Sequence, residues 1–304
     1  MAPTPGQSTA STDSPASESM IELSSLDDLR RWVRDERAAG RRIALVPTMG
    51  FLHEGHLRLV DEARRHADRV IMSIFVNPLQ FGPAEDLERY PRDLPHDRAL
   101  AEARGTDALF VPTVAIMYPP GSEIRVVPGA TADRWEGAAR PGHFEGVLTV
   151  VAKLFHLVEP DVACFGRKDI QQATLVRQMV RDLDWRLEIV VVPTVREPDG
   201  LALSSRNAYL DGDHRPRAVV LSAALGAAHD AFRSGERNAA ALLGTVRRVL
   251  ATEPTVKVEY VAIVEPATLA SVETVGADTV VALAARLGRT RLIDNIILGQ
   301  GLDG

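Results

Sequence analysis

Pro47-Thr48-Met49-Gly50-Phe51-Leu52-His53-Glu54-Gly55-His56 is the stretch from which the rest of the chain can be read. The apolar run Ile43 to Val46 ahead of it has the length and composition of a buried strand. Leu57-Arg58-Leu59-Val60-Asp61-Glu62-Ala63-Arg64-Arg65 behind it has the period of a helix. The segment is therefore a strand-to-helix turn that carries two histidines. Gly50 and Gly55 let the backbone approach a ligand closely. The unpaired N–H groups of the helix start, at the positive end of its dipole, form an anion site. His53 and His56, three residues apart, share one face of the first helical turn. Two imidazoles beside an anion-binding turn suit stabilisation of charge on a transferring phosphoryl group. From spacing alone, a surface turn with two solvated histidines competes with that reading.

Working outward, the same alternation repeats. Arg69 to Val76 reads as a second buried strand, ending in the loop Asn77-Pro78-Leu79-Gln80-Phe81-Gly82, followed by a helix from Asp93 to Arg104 and a strand from Ala108 to Val111. Residues 117–142 carry several Pro and Gly without a long period and read as a functional excursion. A helix from Phe144 to Val158, a strand from Val162 to Phe165, a helix from Asp169 to Asp182 and a strand from Leu187 to Val192 complete the pattern. Strand and helix in alternation predict an α/β fold: a Rossmann-like parallel sheet with helices on both faces, ligands binding at the carboxyl ends of the strands. Gly166 and Lys168 fall at another strand-to-helix turn of the anion-binding kind. Beyond Pro193 two Ala- and Leu-rich helices, Pro216 to Ser234 and Ala239 to Thr252, precede strands at Lys257–Val264, Thr279–Ala285 and Arg291–Ile297, which predicts a smaller C-terminal α+β domain. The expected division is a disordered tail at 1–20, rich in Pro, Ser, Thr, Ala and Gly, a Rossmann-like domain at 21–194, and the α+β domain at 195–304.

Composition narrows the function. Of 304 residues 45% are hydrophobic and 25% charged, an ordinary globular balance. A net charge of −6 argues against wholesale nucleic-acid binding. No apolar run reaches membrane-spanning length and the N-terminus lacks a secretory pattern, so a cytoplasmic protein without membrane partners is expected. The single cysteine, Cys164, rules out an internal disulfide or a cysteine zinc cage. Lys153, Lys168 and Lys257 are the only lysines among 35 basic residues, and only Lys168 sits in a motif, which hints that a compact ammonium is needed there.

Met49-Gly50 with Leu52-His53-Glu54-Gly55-His56 resembles the HxGH signature of the nucleotidylyltransferase superfamily. With Pro47-Thr48-Met49-Gly50, Phe75 to Gly82, Gly166-Arg167-Lys168-Asp169 plus Gln172, and Ser204-Ser205-Arg206-Asn207 in that order, the chain from Ile21 to Leu298 resembles the pantoate–β-alanine ligase family. The resemblance implies ATP-dependent condensation of (R)-pantoate with β-alanine to pantothenate, AMP and pyrophosphate, through a pantoyl adenylate, in a homodimer. It assigns catalysis to His53, His56 and Lys168. ATP falls to residues 49–56 (Met49, Gly50, Phe51, Leu52, His53, Glu54, Gly55 and His56), to Gly166, Arg167, Lys168 and Asp169, and to Val195, Leu203, Ser204, Ser205 and Arg206. Pantoate and β-alanine fall to Gln80, Gln172, Asn77, Met49, Tyr90, Arg140 and His143, and Mg²⁺ to Asp97. Three departures stand out: Arg167 where the family usually has Glu, Leu203 where it has Met, and His96 before Asp97. A nucleotidylyltransferase that leaves the nucleotide on its product is the rival from another class, and a catalytically silent nucleotide-binding protein the third. The paired Gln80 and Gln172 favour the ligase over the former; both histidines and Lys168 argue against the latter.

Overall fold

The computed structural model describes residues 19–302 except Ala84; of the expected disordered tail at 1–20, all but the last two residues lie outside the described residues. A short strand that periodicity did not reveal, β1 (Ile21–Leu23), opens the chain, and α1 (Leu26–Ala38) follows behind a Ser25 N-cap. Next come β2 (Ile43–Thr48), α2 (Glu54–His66), β3 (Arg69–Ile74), a 3-10 turn at Pro78–Gln80, α3 (Leu94–Ala103) and β4 (Ala108–Phe110). The excursion holds α4 (Val114–Met117), a 3-10 turn at Ala130–Asp133 and α5 (Trp135–Ala139). Then follow α6 (His143–Val158), β5 (Val162–Gly166), α7 (Ile170–Asp182) and β6 (Glu188–Val192).

These strands form one sheet in the order β1-β4-β3-β2-β5-β6, every pairing parallel. Ile43 and Leu45 enter the core on one face, with Leu29, Trp32 and Leu154; Ala44 and Val46 enter the core on the other, with Val60, Ala63 and Met72. Successive strand residues point to opposite faces. Both faces are covered, which is why β2 reads as an unbroken apolar run rather than an alternation. The chain winds from β2 to β3 and β4 on one side, then returns to place β5 against β2 on the other. The strand order therefore reverses between β2 and β5, where an open α/β sheet leaves its ligand crevice. The His53–His56 turn and the Gly166–Lys168 turn leave those two strands.

The helix expected over Pro216 to Ser234 is broken in two, α8 (His214–Arg217) and α9 (Val220–Arg233). α10 (Ala239–Leu250) and the strands β7 (Val256–Val264), β8 (Val280–Leu287) and β9 (Thr290–Ile297) complete an antiparallel sheet backed by α9 and α10 around a separate core that includes Leu221, Leu225, Leu242 and Leu283. The opposite face of this sheet, at Ala262, Val264 and Val280, meets Trp135 and Ile170 of the first unit, and the Trp135 indole donates to the Leu269 carbonyl at 3.0 Å.

Candidate active site

At the carboxyl end of β2 the backbone must turn sharply. Gly50 takes a φ of +80°, and a Cβ there would lie 2.8 Å from Asp97 Oδ2. Phe51 follows at φ +52°, which is strained for an aromatic residue. Asp97 holds this turn from behind: its Oδ2 accepts from Phe51 N–H at 2.8 Å and its Oδ1 from Leu52 N–H at 2.6 Å. At 1% exposure, with a backbone N–H on each oxygen, Asp97 braces the turn, a role that its expected place near Mg²⁺ did not suggest. Asp97→Ala should leave two N–H groups unpaired and lower stability by about 2–4 kcal/mol, measured by urea unfolding; an unchanged midpoint would contradict the bracing role.

The brace presents the two histidines. Gly55 N–H donates to His53 Nδ1 at 3.2 Å, and His53 N–H donates to His56 Nδ1 at 3.3 Å, a reciprocal cap of α2 made from imidazoles. A backbone N–H can only donate, so both Nδ1 atoms accept and each neutral ring carries its proton on Nε2. The ring centroids are 4.1 Å apart. Burial, then the Lys168 ammonium, lowers the pKa of His53 to about 4; burial, then His53 and Lys168, pushes that of His56 well below its ordinary value. Both are neutral Nε2–H donors at pH 7. As neutral rings, His53 and His56 each offer the cavity a hydrogen bond from Nε2.

A cavity of about 230 Å³ opens in front of them. Met49, Gly55, Gly166, Lys168, Asp169, Gln172, Val195, Leu203, Ser204, Ser205 and Arg206 line it, as do Gln80, Tyr90, Arg140 and His143. Gln172 faces this space while its neighbour Gln171 is buried, taking Glu136 N–H on Oε1 and donating to the carbonyls of Thr131 and Arg134. Lys168 has no carboxylate partner among the described residues. Its carbonyl is fixed instead, by Asn295 Nδ2 at 2.9 Å. The floor is apolar, with Phe75, Val147, Val151, Leu154 and Phe165. The hydroxyls of Ser73 and Thr194 also line the cavity, buried and without a protein partner. No motif distinguished them in the sequence.

Several expected ligands have other work. Gly50, Phe51, Leu52 and Glu54 do not line the cavity: the first three shape the turn, and Glu54 pairs with Arg104. Arg167 is 4% exposed and turns away from the cavity, donating to Gln300 Oε1 at 2.5 Å, so it adds no charge at the phosphate turn. Asn77 touches the cavity but has no free hydrogen-bonding capacity. Its Oδ1 accepts from the Tyr118 hydroxyl at 2.9 Å and from Leu79 N–H at 3.3 Å, and its Nδ2 donates to the Gly146 carbonyl at 3.1 Å and to Gln80 Oε1 at 3.0 Å. An amide has two lone pairs and two hydrogens to give. Asn77 therefore orients Gln80, whose Nε2 is left for the cavity and for Met49 Sδ at 3.3 Å. This arrangement needs Gly146, because a Cβ there would lie 2.2 Å from the Leu79 carbonyl oxygen. His143 and Arg140 are also engaged: His143 Nδ1–H donates to the Gln80 carbonyl at 2.8 Å, and His143 Nε2 accepts from Arg140 at 3.0 Å. Burial and the Arg140 guanidinium lower the pKa of His143 to about 4.

Comparison with known proteins fits this geometry. The family model described as pantoate-beta-alanine ligase matches residues 22–297. A protein named pantothenate synthetase in Chloroflexus aurantiacus is 53% identical over 270 residues, 88% of this chain and 96% of its own. One of the same name in Pelotomaculum thermopropionicum is 49% identical over 281 residues, 92% of this chain and 100% of its own. The solved pantothenate synthetase of Thermus thermophilus superposes with a TM-score of 0.88 at 49% identity, over 92% of this chain and 99% of that one. That of a Francisella tularensis pantoate-beta-alanine ligase, complexed with β,γ ATP and β-alanine, superposes with a TM-score of 0.75 at 33% identity, over 93% and 100%. A match of this extent, over both the parallel sheet and the C-terminal unit, means that the chain belongs to the pantoate–β-alanine ligase family.

Proposed function

We propose that the His53–His56 turn and Lys168 act together on the triphosphate of ATP while Gln80 and Gln172 hold pantoate beside it. The chain is an ATP-dependent pantoate–β-alanine ligase. The observation that supports these roles is the pair of Nε2–H donors opposite an unpaired ammonium, across the crevice where the strand order reverses. Pantoate brings a carboxylate, two hydroxyls and two methyl groups. The amides of Gln80 and Gln172 suit the oxygens, and the floor of Phe75, Val147 and Leu154 suits the methyls.

The carboxylate is ionised at pH 7 and needs no base. One of its oxygens attacks the α-phosphorus, the bond to the β-phosphate oxygen breaks, and pyrophosphate leaves with the electron pair. Charge builds on the α-phosphoryl oxygens and on the leaving group. Fixed Nε2–H donors and Lys168 stabilise it there without reorganising. Ser204 and Arg206 take the β and γ phosphates, while the Ser205 hydroxyl, donating to the Phe51 carbonyl at 3.2 Å, ties their turn to that of the histidines. The amine of β-alanine then attacks the acyl carbon, loses a proton, and displaces AMP. The C-terminal unit from 195 onward, as a lid over the unit at 21–194, keeps water from the mixed anhydride. Among the described residues no three His, Cys, Asp or Glu side chains gather as a metal cage, and Asp97 is occupied. Mg²⁺ takes one or two carboxylates beside the phosphates of a nucleotide, so it would be held chiefly by the phosphates of ATP, with Asp169 the carboxylate that lines the same cavity. A homodimer in the cytoplasm completes the proposal. Exposed Ile124 and Val127, on one loop, suit an interface, and a buried lone thiol suits a reducing compartment.

Mixing the three substrates and identifying AMP and an amide tests the overall reaction against nucleotidyl transfer. Pantoate alone should support exchange of labelled pyrophosphate into ATP, because the adenylate forms before the amine enters. Exchange that depends absolutely on β-alanine would overturn that order.

A further inference from the structure

Between the Pro78–Gln80 turn and α3, two consecutive carboxylates each hold one arginine of the cavity. Glu85 takes Arg140 side-on, Nε to Oε1 at 2.8 Å and Nη2 to Oε2 at 2.6 Å. Asp86 takes Arg206 in the same way, Nε to Oδ2 and Nη2 to Oδ1, both at 2.9 Å. The arginines come from distant parts of the chain, one after α5 and one in the 3-10 turn Ser205–Tyr209 of the C-terminal unit. The side chains are largely withdrawn from water, at 13% and 24% exposure for the first pair and 27% and 15% for the second. Bidentate pairs so placed fix orientation as well as charge.

A guanidinium has five N–H groups, and a carboxylate on the Nε/Nη2 edge leaves three. Those three differ between the two arginines. On Arg140 they reach the Gln80 carbonyl at 3.3 Å, His143 Nε2 at 3.0 Å and Glu136 at 3.4 Å. On Arg206 they meet no protein acceptor among the described residues, while the guanidinium stands 5.8 Å from the centre of the Tyr90 ring. The Nη1/Nη2 edge of Arg206 is thus presented ready-oriented, with the geometry that matches a phosphate.

We propose that Glu85 and Asp86 are positioning residues with separate duties: Asp86 aims Arg206 at the triphosphate, and Glu85, through Arg140, fixes the Gln80 turn that receives pantoate. This rests on the reading that Arg206 and Gln80 are ligands of those two substrates. It assigns two neighbours in sequence to opposite substrates, which a general role in holding one loop does not do.

Steady-state kinetics of Glu85→Gln and Asp86→Asn, each nearly isosteric, test the proposal, with thermal melts to confirm folding and Arg206→Ala and Gln80→Ala for reference. Loss of one charge-assisted pair should cost ~10-fold. Asp86→Asn should raise KM for ATP by about that factor with KM for pantoate unchanged, and Glu85→Gln should do the reverse. If both variants shift the same KM, or change only the melting temperature, the division of duties is wrong. A lower KM for ATP in Asp86→Asn would make Asp86 a competitor of phosphate and overturn the proposal. If Arg206→Ala raises KM for ATP and Asp86→Asn does not, the proposal falls while the phosphate reading stands. If Arg206→Ala itself leaves KM for ATP unchanged, the phosphate reading fails, and the Asp86 half of the proposal fails with it.

Discussion

His53→Ala and His56→Ala should each lower the rate of adenylate formation by ~10²-fold or more, the usual cost of losing a fixed donor to developing charge, while ATP affinity should change much less. The geometry sets that asymmetry. Each ring is anchored at Nδ1 by a backbone N–H, so its Nε2–H has a fixed direction before ATP arrives. A donor fixed in advance gains most where charge increases, which is at the α-phosphoryl group and the departing pyrophosphate. Single-turnover adenylation, compared with ATP binding by titration, separates the two effects. Equal losses in rate and binding would make the histidines simple ground-state ligands. The buried neutral rings also predict a pH effect on stability. The folded-state pKa of His53, about 4, lies below its ordinary value, so the unfolded chain binds more protons across this range. Stability from this source is present above the ordinary histidine pKa and is lost as pH falls from there towards about 4. Thermal melts across that window should show His53→Ala gaining on the parent as pH falls. A constant difference would mean that His53 is not held neutral.

Lys168→Arg should lose most adenylation activity and keep its fold. In a chain whose cations are almost all arginine, Lys168 lines the cavity without a carboxylate partner among the described residues, where both arginines are already held by acids. An ammonium is a compact point charge that can approach crowded phosphate oxygens from several directions. A guanidinium is planar and larger, in a cavity that residue 168 shares with two histidine rings and the Ser204–Ser205 turn. A pyrophosphate-release assay on the purified variant, with circular dichroism to confirm folding, gives the measurement. Activity near that of the parent would remove Lys168 from the reaction and weaken the phosphate cradle as a whole.

The sequence by itself determined the parallel sheet, the strand-to-helix turns at His53–His56 and Gly166–Lys168, and the family. These features are local: an apolar run, a glycine-bearing turn and a helical period lie within a few residues of one another, and their geometry follows from the backbone. Through the family resemblance it also singled out Gln172, on a first helical turn after a strand, and the fold places that residue on the cavity. The short β1 was not legible, because three residues carry no period and the strand exists only through its pairing with β4. Tertiary structure alone decided what the remaining polar residues do. Asp97 meets Phe51 across 46 positions, which spends its carboxylate on the backbone of the turn, and Asn77 meets Gly146 across 69, one of four bonds that fill its hydrogen-bonding capacity before any ligand arrives. The direction of Arg167, away from the cavity to Gln300, is set by a contact 133 positions distant. Glu85 and Asp86 look like ordinary loop charges until the fold brings Arg140 and Arg206 to them. Residue type states what hydrogen bonds a side chain can make; only the packed chain decides which are already made, and what remains is what the substrates meet.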